Sequence, residues 1–180
     1  RAIDAVNTVW WFSKTEWPKA NVRNVLQPYS EHMRRLLRQP DRYYNSATRP
    51  SEHSISSGFG KDNGGSIPKN LLQIANTESS NHYMKTCRAL GITSHPARFP
   101  SDLPTFFIKF LTDEDDLLMD IFSGSNTTGA AAQGLNRRWM SIELDFEYVR
   151  QSSIRFMEHL PLEAVAAKYE LLSDKRVTRL

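Results

Sequence analysis

The stretch LLMDIFSGSNTTGAAAQGLNRRWMSIEL, residues 117–144, determines the expected fold. It begins with an apolar run (Leu117–Phe122), passes through a turn of Ser, Gly, Asn and Thr (Ser123–Thr128), and becomes alanine-rich (Gly129–Leu135). A second strand candidate follows, in which apolar residues are interspersed with polar ones (Arg138–Leu144). A strand, a turn, a helix and another strand in this order are typical of a parallel α/β sheet. The stretch therefore predicts a doubly wound α/β fold.

Other segments predict elements around this unit. Val6–Lys14 is β-branched and aromatic, which indicates a buried strand. Asn45 to about Asn70 is rich in Ser, Gly and Asn and indicates a long loop. Helices are predicted over Ser30–Gln39, Ser80–Leu90, Pro104–Leu111 and Phe146–Leu160, a turn over Asp113–Asp116, and a charged, peripheral helix from Pro161.

Composition and charge exclude several classes of protein. The 180 residues include one cysteine, which excludes a disulfide framework and a cysteine-rich zinc site. No apolar run reaches the roughly 18 residues of a membrane span, so we expect a cytoplasmic protein without a membrane partner. Residues 1–100 carry 14 Lys and Arg against 7 Asp and Glu (+7), whereas residues 101–180 carry 9 against 13 (−4). The basic half faces a polyanion or is an ordinary solvated surface, and the charge alone leaves both open.

The turn after the first predicted strand is a candidate ligand site. Such a turn presents backbone N–H groups at the carboxyl edge of a sheet, where ligands bind. Glu143 follows Gly124 by nineteen residues, where doubly wound folds place a ribose acceptor. A P-loop is excluded because Ala130, not Lys, follows Gly129, and the G-x-G-x-x-G fingerprint is not met because residue 126 is Asn. A tight turn without a ligand remains the alternative.

Three ordered segments resemble motifs of a known family. Asp120–Gly129 followed by Trp139–Asp145 looks like motifs I and II of S-adenosylmethionine-dependent DNA amino-methyltransferases, and His95–Pro104 looks like their motif X. This order is that of the β class, which methylates exocyclic amines of cytosine or adenine. Asn126 departs from the usual Phe-x-Gly-Ser-Gly-Thr-Thr, but a cytosine-N4 subset of restriction–modification systems carries Gly-Ser-Asn-Thr-Thr-Gly. Residues 6–14 and 61–73 are also similar to that subset, so the resemblance extends to about Phe156.

The resemblance implies an incomplete Rossmann-like methyltransferase sheet that binds S-adenosylmethionine. Phe122–Thr128 would cradle the methionine and ribose, Glu143 would accept from the ribose hydroxyls, and motif X would close the methionine side. An aromatic face such as that of Phe122 would stabilise the sulfonium cation, and no metal is needed. The implied cofactor contacts are Phe99, Leu103, Asp120, Phe122, Ser123, Gly124, Ser125, Asn126, Thr127, Thr128 and Glu143.

Duplex DNA is the implied substrate. Ser54–Asn70 occupies the family's target-recognition position, and Lys61, Asn63 and Lys69 suit groove reading and phosphate contact. A surface loop without a DNA role is the alternative. The residues Arg34, Arg35 and Arg38 extend the basic face or form an ordinary solvated helix face.

Motif X contributes two further candidates. Arg98 contacts a DNA phosphate or pairs with an acid, with neither favoured by the sequence. His95 is expected to hold a turn rather than a metal, because no second ligand lies at a suitable spacing.

The family's catalytic motif, Ser/Asp/Asn-Pro-Pro-Tyr/Phe, does not occur in this chain. None of the nine prolines is adjacent to another. In the β class this motif precedes motif X, which would place it before Arg1. We therefore expect the carboxyl-terminal portion of an enzyme, inactive alone, with its catalytic residues in a missing amino-terminal segment or a complementing chain. A cytosine-C5 enzyme is excluded because Cys87 follows Thr86 rather than a proline.

The expected activity is methyl transfer to the N4 amine of cytosine in duplex DNA. An adenine-N6 methyltransferase is the runner-up, and a catalytically inactive DNA-binding remnant is the third hypothesis. The expected regions are the end of the catalytic region (1–30), an inserted, loop-rich target-recognition region (31–92), an S-adenosylmethionine-binding region (93–160) and a helical tail (161–180).

Overall fold

The computed structural model of the protein describes residues 6–40, 57–75 and 81–174. Within these ranges no helix is both long and apolar enough to cross a membrane. The strands are β1 (Leu117–Asp120) and β2 (Arg138–Ser141), and the helices are α1 (Glu31–Arg38), α2 (His82–Ala89), α3 (Asp102–Leu111), α4 (Thr127–Gly134), α5 (Phe146–Ser153) and α6 (Leu162–Leu171). Single 3-10 turns occupy Val22–Val25, Ser57–Gly60, Ile154–Phe156 and Leu172–Asp174.

The predicted strand–helix–strand unit is present. β1 and β2 are parallel, with Leu117 opposite Arg138 and Asp120 opposite Ser141. The ladder extends past both strands, since Ile142 N donates to Asp120 O at 2.8 Å and Ser123 N donates to Ile142 O at 3.0 Å. α4 packs on both strands and on α3. The sheet of the described residues has these two strands alone, so the predicted doubly wound architecture is confirmed as an α/β unit and its Rossmann-like completion stays a prediction.

The sheet is covered on one face only. Side chains alternate across a strand, and every second residue of β1 and β2 is half-buried beneath the helices. The alternate residues face outward, with Leu117 53%, Met119 58% and Met140 49% exposed. The prediction of a strand within Leu117–Phe122 is therefore confirmed. The prediction that this strand is buried is wrong for its outer face, because the described residues place no second helical layer over it.

The buried cluster lies away from the sheet. It joins α2, the turn at Ile154–Phe156 and α6 through Tyr83, Met84, Cys87, Ile154, Met157, Val165 and Tyr169. Val165 is 1% exposed, so the expectation that the tail helix is peripheral is wrong. Glu163 and Glu170 lie on the outer side, whereas Val165 and Tyr169 fill the core.

The strand predicted over Val6–Lys14 is not formed. These residues have no regular secondary structure, and Trp10 and Phe12 are 77% and 83% exposed. A strand needs a hydrogen-bonded neighbour, and the described sheet does not reach this segment. Trp11 anchors the segment on the fold through an edge-to-face contact with Phe110, with ring centroids 5.7 Å apart.

The helix predictions are largely confirmed by their caps. Ser30 Oγ accepts from Met33 N at 3.2 Å at the start of α1, and Gly91, at φ +67°, follows α2. α3 begins two residues before Pro104, and the turn over Asp113–Asp116 is present. The helix predicted over Phe146–Leu160 ends at Ser153 and continues as a 3-10 turn. Residues 45–56 of the predicted loop and Ser80 lie outside the described residues.

Candidate functional site

The turn between β1 and α4 is closed by its asparagine. Asn126 adopts the left-handed conformation (φ +55°, ψ +42°) as the N-cap of α4. Its Oδ1 accepts from Gly129 N at 3.1 Å and from Ser141 Oγ at 2.7 Å. Asn tolerates this conformation better than other non-glycine residues. The departure from glycine at residue 126 therefore keeps the backbone geometry and adds a cap.

Two glycines are required by close contacts in this turn. At Gly129, a Cβ atom would lie 2.3 Å from Asn126 Oδ1 and 3.0 Å from Trp139 Cε3. At Gly124, φ is +49° and a Cβ would lie 3.2 Å from His95 Nε2. The first glycine makes room for the cap, and the second lets motif X approach the turn.

Glu143 is held at the mouth of the turn. Its Oε2 accepts from Gly124 N at 2.8 Å and its Oε1 from Asp145 N at 3.0 Å. The bonds from Asp145 and then Gly124 hold the pKa of this carboxyl below its usual value. Each oxygen keeps a second lone pair, so an ionised carboxylate can accept further hydroxyl donors while it fixes the turn.

His95 brings motif X against the same turn. Its ring donates through Nδ1 to Ala97 O at 2.7 Å and packs edge to face on Tyr148 at 4.3 Å. The turn-holding role predicted for His95 fits this geometry. The contact with Gly124 joins the predicted motifs X and I at the carboxyl edge of the sheet.

Arg155 also holds the turn, and it is absent from the candidates that the sequence suggests. Its Nε donates to Ser125 O at 2.5 Å and one terminal nitrogen to Ser125 Oγ at 3.2 Å. The guanidinium lies 4.4 Å from the centre of the Tyr83 ring. Thirty residues separate Arg155 from Ser125 without a motif around it, so no sequence signal could have indicated this contact.

The predicted cofactor residues divide into two groups. The side chains of Ser125, Asn126 and Thr127 are 3–4% exposed and bonded inside the protein, so they frame the turn. By contrast, Phe122 is 84% and Phe99 42% exposed. Four further predicted residues lie around the turn or in motif X. Leu103 is in the first turn of α3, and Thr128 is in the first turn of α4. Asp120 Oδ1 accepts from Phe122 N at 3.1 Å, and Ser123 is half-buried.

The candidate DNA loop is tied to the segment before α1. Ser66 and Gln27 exchange two backbone hydrogen bonds of 2.8 and 2.9 Å, and Asn63 N donates to Tyr29 Oη at 2.8 Å. Lys61 and Lys69 are exposed. Tyr29 O also accepts from Arg34 Nε at 3.1 Å. The structure therefore places the loop beside the arginine helix α1.

Arg98 points into the protein. It is half-buried, and one terminal nitrogen donates to Ser94 Oγ at 3.2 Å and to the backbone oxygen of His95. No acidic side chain is among these contacts, and a contact with a DNA phosphate stays a prediction. In this geometry Arg98 stabilises the turn that carries His95.

A concavity of about 460 Å³ lies at the opposite edge of the sheet. Its lining includes Asp113 and Glu114 before β1 and Asn136 and Arg137 before β2. Ligands of open α/β sheets bind outside the carboxyl ends of the strands, and this cleft lies at the amino ends. The turn at residues 122–129 is therefore the better candidate site.

Comparisons with known proteins agree with this geometry. Residues 1–153 match the family model N6_N4_Mtase, a DNA methylase family. The chain is 57% identical to Type II methyltransferase M.PvuII of Proteus hauseri over 159 residues, which cover 88% of this chain and 47% of that protein. It is 26% identical to Type II methyltransferase M.BglII of Bacillus subtilis over 142 residues, 79% of this chain and 33% of that protein.

A solved structure is also similar. The PvuII DNA methyltransferase (cytosine-N4-specific) matches with a TM-score of 0.71 and 41% identity, over 98% of this chain and 49% of that chain. The chain thus spans about half the length of the PvuII methyltransferases that it matches.

Proposed function

Because the chain belongs to the N6/N4 DNA methylase family, we propose that it forms the cofactor-binding part of a site-specific DNA methyltransferase. The substrate is the exocyclic N4 amine of cytosine in duplex DNA. This choice is supported by the 57% identity to M.PvuII and the match to a cytosine-N4-specific structure. The observation that carries the proposal is the closed turn at Gly124, with Glu143 and Phe122 presented at its mouth. The enzyme acts in the bacterial cytoplasm.

The cofactor is S-adenosylmethionine, which supplies a methyl group activated by its sulfonium. The residues at the edge fit this molecule. Glu143 has lone pairs available for two ribose hydroxyls, and the exposed ring of Phe122 offers its face to a cation. His95 joins motif X to the turn, and Phe99 and Leu103 of the same motif close the methionine end. The buried residues Ser125, Asn126 and Thr127 stabilise the conformation of the turn.

The DNA surface is formed by the loop and α1 together. Lys61, Asn63 and Lys69 contact DNA, and the arginines of α1 extend the surface because Tyr29 bonds to both elements. The three arginine side chains surround a single carboxylate, Glu31, at 3.5–3.9 Å. Since one acid cannot neutralise three guanidinium groups, α1 keeps a net positive charge that attracts phosphates. Arg98 acts indirectly, by holding motif X.

The acceptor pair that prepares the amine comes from another polypeptide segment. The family's catalytic motif holds a flipped base by hydrogen bonds to its amine, and no Pro-Pro pair occurs in this chain. The amine lone pair is delocalised into the ring, so without these bonds it is a poor nucleophile. Misplacement by about 1 Å already costs roughly a hundredfold in rate. Residues 1–180 alone are therefore expected to transfer no methyl group.

Tritiated-methyl transfer to duplex DNA tests the proposal. The chain is assayed alone and after mixing with the part of Proteus hauseri M.PvuII that it does not match, and the product is identified by nucleoside analysis. We expect no transfer by the chain alone and N4-methylcytosine from the mixture. The matched control is Glu143→Ala in the same mixture, which should lose activity at low cofactor concentration. Robust turnover by residues 1–180 alone would show that the catalytic site has been misplaced.

Two rivals give different results in this experiment. N6-methyladenine in the mixed reaction would favour the adenine-N6 enzyme, which shares the fold and the cofactor site. A DNA-binding remnant with a vestigial pocket would bind DNA without binding S-adenosylmethionine, which calorimetric titration of the chain would reveal.

A further inference from the structure

Two arginines, Arg150 and Arg155, make matching contacts with the buried cluster. The Arg150 guanidinium lies 4.3 Å from the centre of the Tyr169 ring, and the Arg155 guanidinium lies 4.4 Å from the centre of the Tyr83 ring. Both tyrosines belong to the buried cluster, at 8% and 2% exposure. A cation over an aromatic face is attracted to it, and more strongly when it is withdrawn from water. Both guanidinium groups are therefore anchored on the core.

The two arginines differ in what their hydrogen bonds hold. Arg150 donates to Glu147 at 2.9 and 3.0 Å and to Tyr169 O at 3.3 Å, so these bonds connect α5 and α6. Arg155 donates to Ser125 O and Ser125 Oγ in the turn instead, and Ser125 is only 4% exposed. Hydrogen bonds from a charged donor are stronger than those between neutral groups. Arg155 therefore ties the turn to the core, whereas Arg150 ties two helices together.

The bond from Arg155 fixes a peptide group at the centre of the turn. Ser125 O and Asn126 N belong to the same planar peptide group. The N–H of this group donates to Ser123 O at 2.7 Å, and Asn126 then adopts the left-handed conformation in which its side chain accepts from Gly129 N. A rotation of this peptide group would therefore disturb both the tight turn and the cap of α4.

We propose that Arg155 is a positioning residue for the cofactor, which acts through Ser125 rather than by contact with the reacting atoms. This inference rests on the proposed function. Gly124, whose N–H donates to Glu143, directly precedes Ser125, so a shift of the Ser125 peptide also moves the group that orients the ribose acceptor. A site that already has its binding shape loses less free energy to ordering when the ligand binds. Arg155 thus raises the affinity for S-adenosylmethionine.

Calorimetric titration of the 180-residue chain with S-adenosylmethionine tests this, with Arg155→Met and Arg150→Met as a matched pair. Both substitutions keep an unbranched side chain beside a core tyrosine and remove a positive charge together with its donors. Both should therefore lower the urea midpoint of unfolding. Only Arg155→Met should weaken cofactor binding, by about tenfold, because the Ser125 carbonyl loses its charged donor. Arg150→Met should bind as the wild type does.

A milder pair, Arg155→Lys and Arg150→Lys, keeps the positive charge and one donor group. Arg155→Lys should bind with an affinity between those of the wild type and Arg155→Met. An ammonium group can donate to Ser125 O, but it lacks the second, fixed donor of a guanidinium. Arg150→Lys should bind as the wild type does. This pair also decides the question if Arg155→Met does not fold.

Hydrogen exchange of the ligand-free chain gives a readout that does not depend on the cofactor. The amide of Asn126 in the turn should exchange about tenfold faster in Arg155→Met than in Arg150→Met, because the turn opens more often. The amide of Ile142, which is hydrogen-bonded in the β-ladder, is the internal control. It should exchange at the same rate in both variants.

Four results would overturn the proposal: wild-type affinity in Arg155→Met, an equal loss of affinity in Arg150→Met, equal exchange of the Asn126 amide in these two variants, or an Arg155→Lys variant that binds no better than Arg155→Met. An equal loss in Arg150→Met would attribute the effect to a general loosening of the core. Failure of the proposed function has a separate signature. The wild-type chain would then bind no S-adenosylmethionine, although the exchange of Asn126 still differed between the two methionine variants, and Arg155 would stabilise the turn without serving a cofactor.

Discussion

The turn at residues 122–129 and the loop at residues 57–70 have similar compositions but are held in different ways. Both are rich in Gly, Ser and Asn. In the turn, three consecutive side chains are 3–4% exposed, and Ser141, Glu143 and Arg155 bond to it from other elements. The loop is attached at Ser66 and Asn63, and its lysines are exposed. Composition alone therefore does not decide whether such a segment is rigid.

The difference corresponds to the proposed roles. A cofactor with a fixed shape is bound best by a site that needs no reorganisation. DNA binding requires exposed cations that can adapt to a groove and to phosphates. The bonds from distant residues to the turn suit the first proposed role, and the few attachments of the loop suit the second.

The turn can be broken at Gly129. Gly129→Ala would drive a methyl group into the Asn126 cap, at 2.3 Å from its Oδ1. Loss of the cap and overpacking should together reduce the free energy of unfolding by about 2–4 kcal/mol. Gly134→Ala, near the end of the same helix, is the control, because a Cβ there meets nothing within 4 Å. It should stabilise by about 0.5–1 kcal/mol. Urea denaturation measures both, and equal stability of the two variants would contradict the steric argument.

Glu143 tests whether the rigid turn serves the cofactor. Glu143→Ala removes the ribose acceptor, and the affinity for S-adenosylmethionine should fall by about 1–3 kcal/mol in calorimetry. Glu163→Ala, an exposed acid on α6, should have no effect. Unchanged affinity in Glu143→Ala would remove this residue from the site.

The same carboxyl should make the turn sensitive to acid. Because its pKa is lowered in the folded state, the carboxylate stabilises the fold fully above its unfolded value of 4.5. That contribution is lost as the pH falls through the folded pKa. Glu143→Gln should therefore differ from the wild type in melting temperature at about pH 6 and converge with it at about pH 2. A constant difference across this range would show that ionisation is not involved.

The loop can be tested by charge removal. If Lys61 and Lys69 contact phosphates, the double alanine variant should bind DNA more weakly, and the slope of its salt dependence should decrease by roughly one for each phosphate that is no longer neutralised. Lys19→Ala is the control, because Asp113 and Asp116 already pair with this lysine at 2.7 and 2.6 Å. Fluorescence anisotropy at several salt concentrations gives the slopes. An unchanged slope in the double variant would assign binding to α1 instead.

How much of the fold the sequence revealed depended on whether the signal was local. The cap at Ser30, the glycine after α2 and the strand–turn–helix order are signals within a few residues, and each of these elements is present. The cap at Asn126 was not predicted, because the sequence showed this residue only as a departure from a motif. The sequence predicted that Glu143 lies at the end of the second strand, near the turn. It did not predict that Glu143 accepts a hydrogen bond from Gly124 N, because the expected donor was a ribose hydroxyl.

The failures have a common cause. Val6–Lys14 has the composition of a strand, but the described residues contain no strand that pairs with it. The outer face of β1 has the apolar composition of a buried surface, but no described residues cover it. The contacts of Arg155 and of the tail helix arise from packing between segments far apart in the chain. Local pattern predicts what a segment is suited for, whereas its actual environment depends on which other segments are present.

Tyr83 of α2 supports the turn, because its ring lies under the guanidinium of Arg155, which holds the turn. Its buried hydroxyl forms no regular hydrogen bond among the described residues, although the Cys87 thiol and the backbone of His95 lie close to it, and burial raises its pKa from 10.0 to about 12. Tyr83→Phe keeps the cation–π contact and removes an unsatisfied group, so stability at neutral pH should be unchanged or higher by up to about 1 kcal/mol. Tyr29→Phe is the contrasting control, since its hydroxyl accepts from Asn63 N in the loop, and it should lose stability.

The alkaline behaviour of Tyr83→Phe sharpens this last prediction. Because the folded pKa is raised, the wild-type protein retains the Tyr83 contribution below pH 10.0 and loses it as the pH rises towards about 12. The decline should be shallower in Tyr83→Phe, and not abolished, because burial also raises the pKa values of Cys87 and Tyr169 in the same cluster. Urea denaturation at about pH 7 and about pH 11 measures both effects. A loss of more than about 1 kcal/mol at neutral pH would mean that the hydroxyl forms a stabilising hydrogen bond, and that the ring alone does not account for the role of Tyr83.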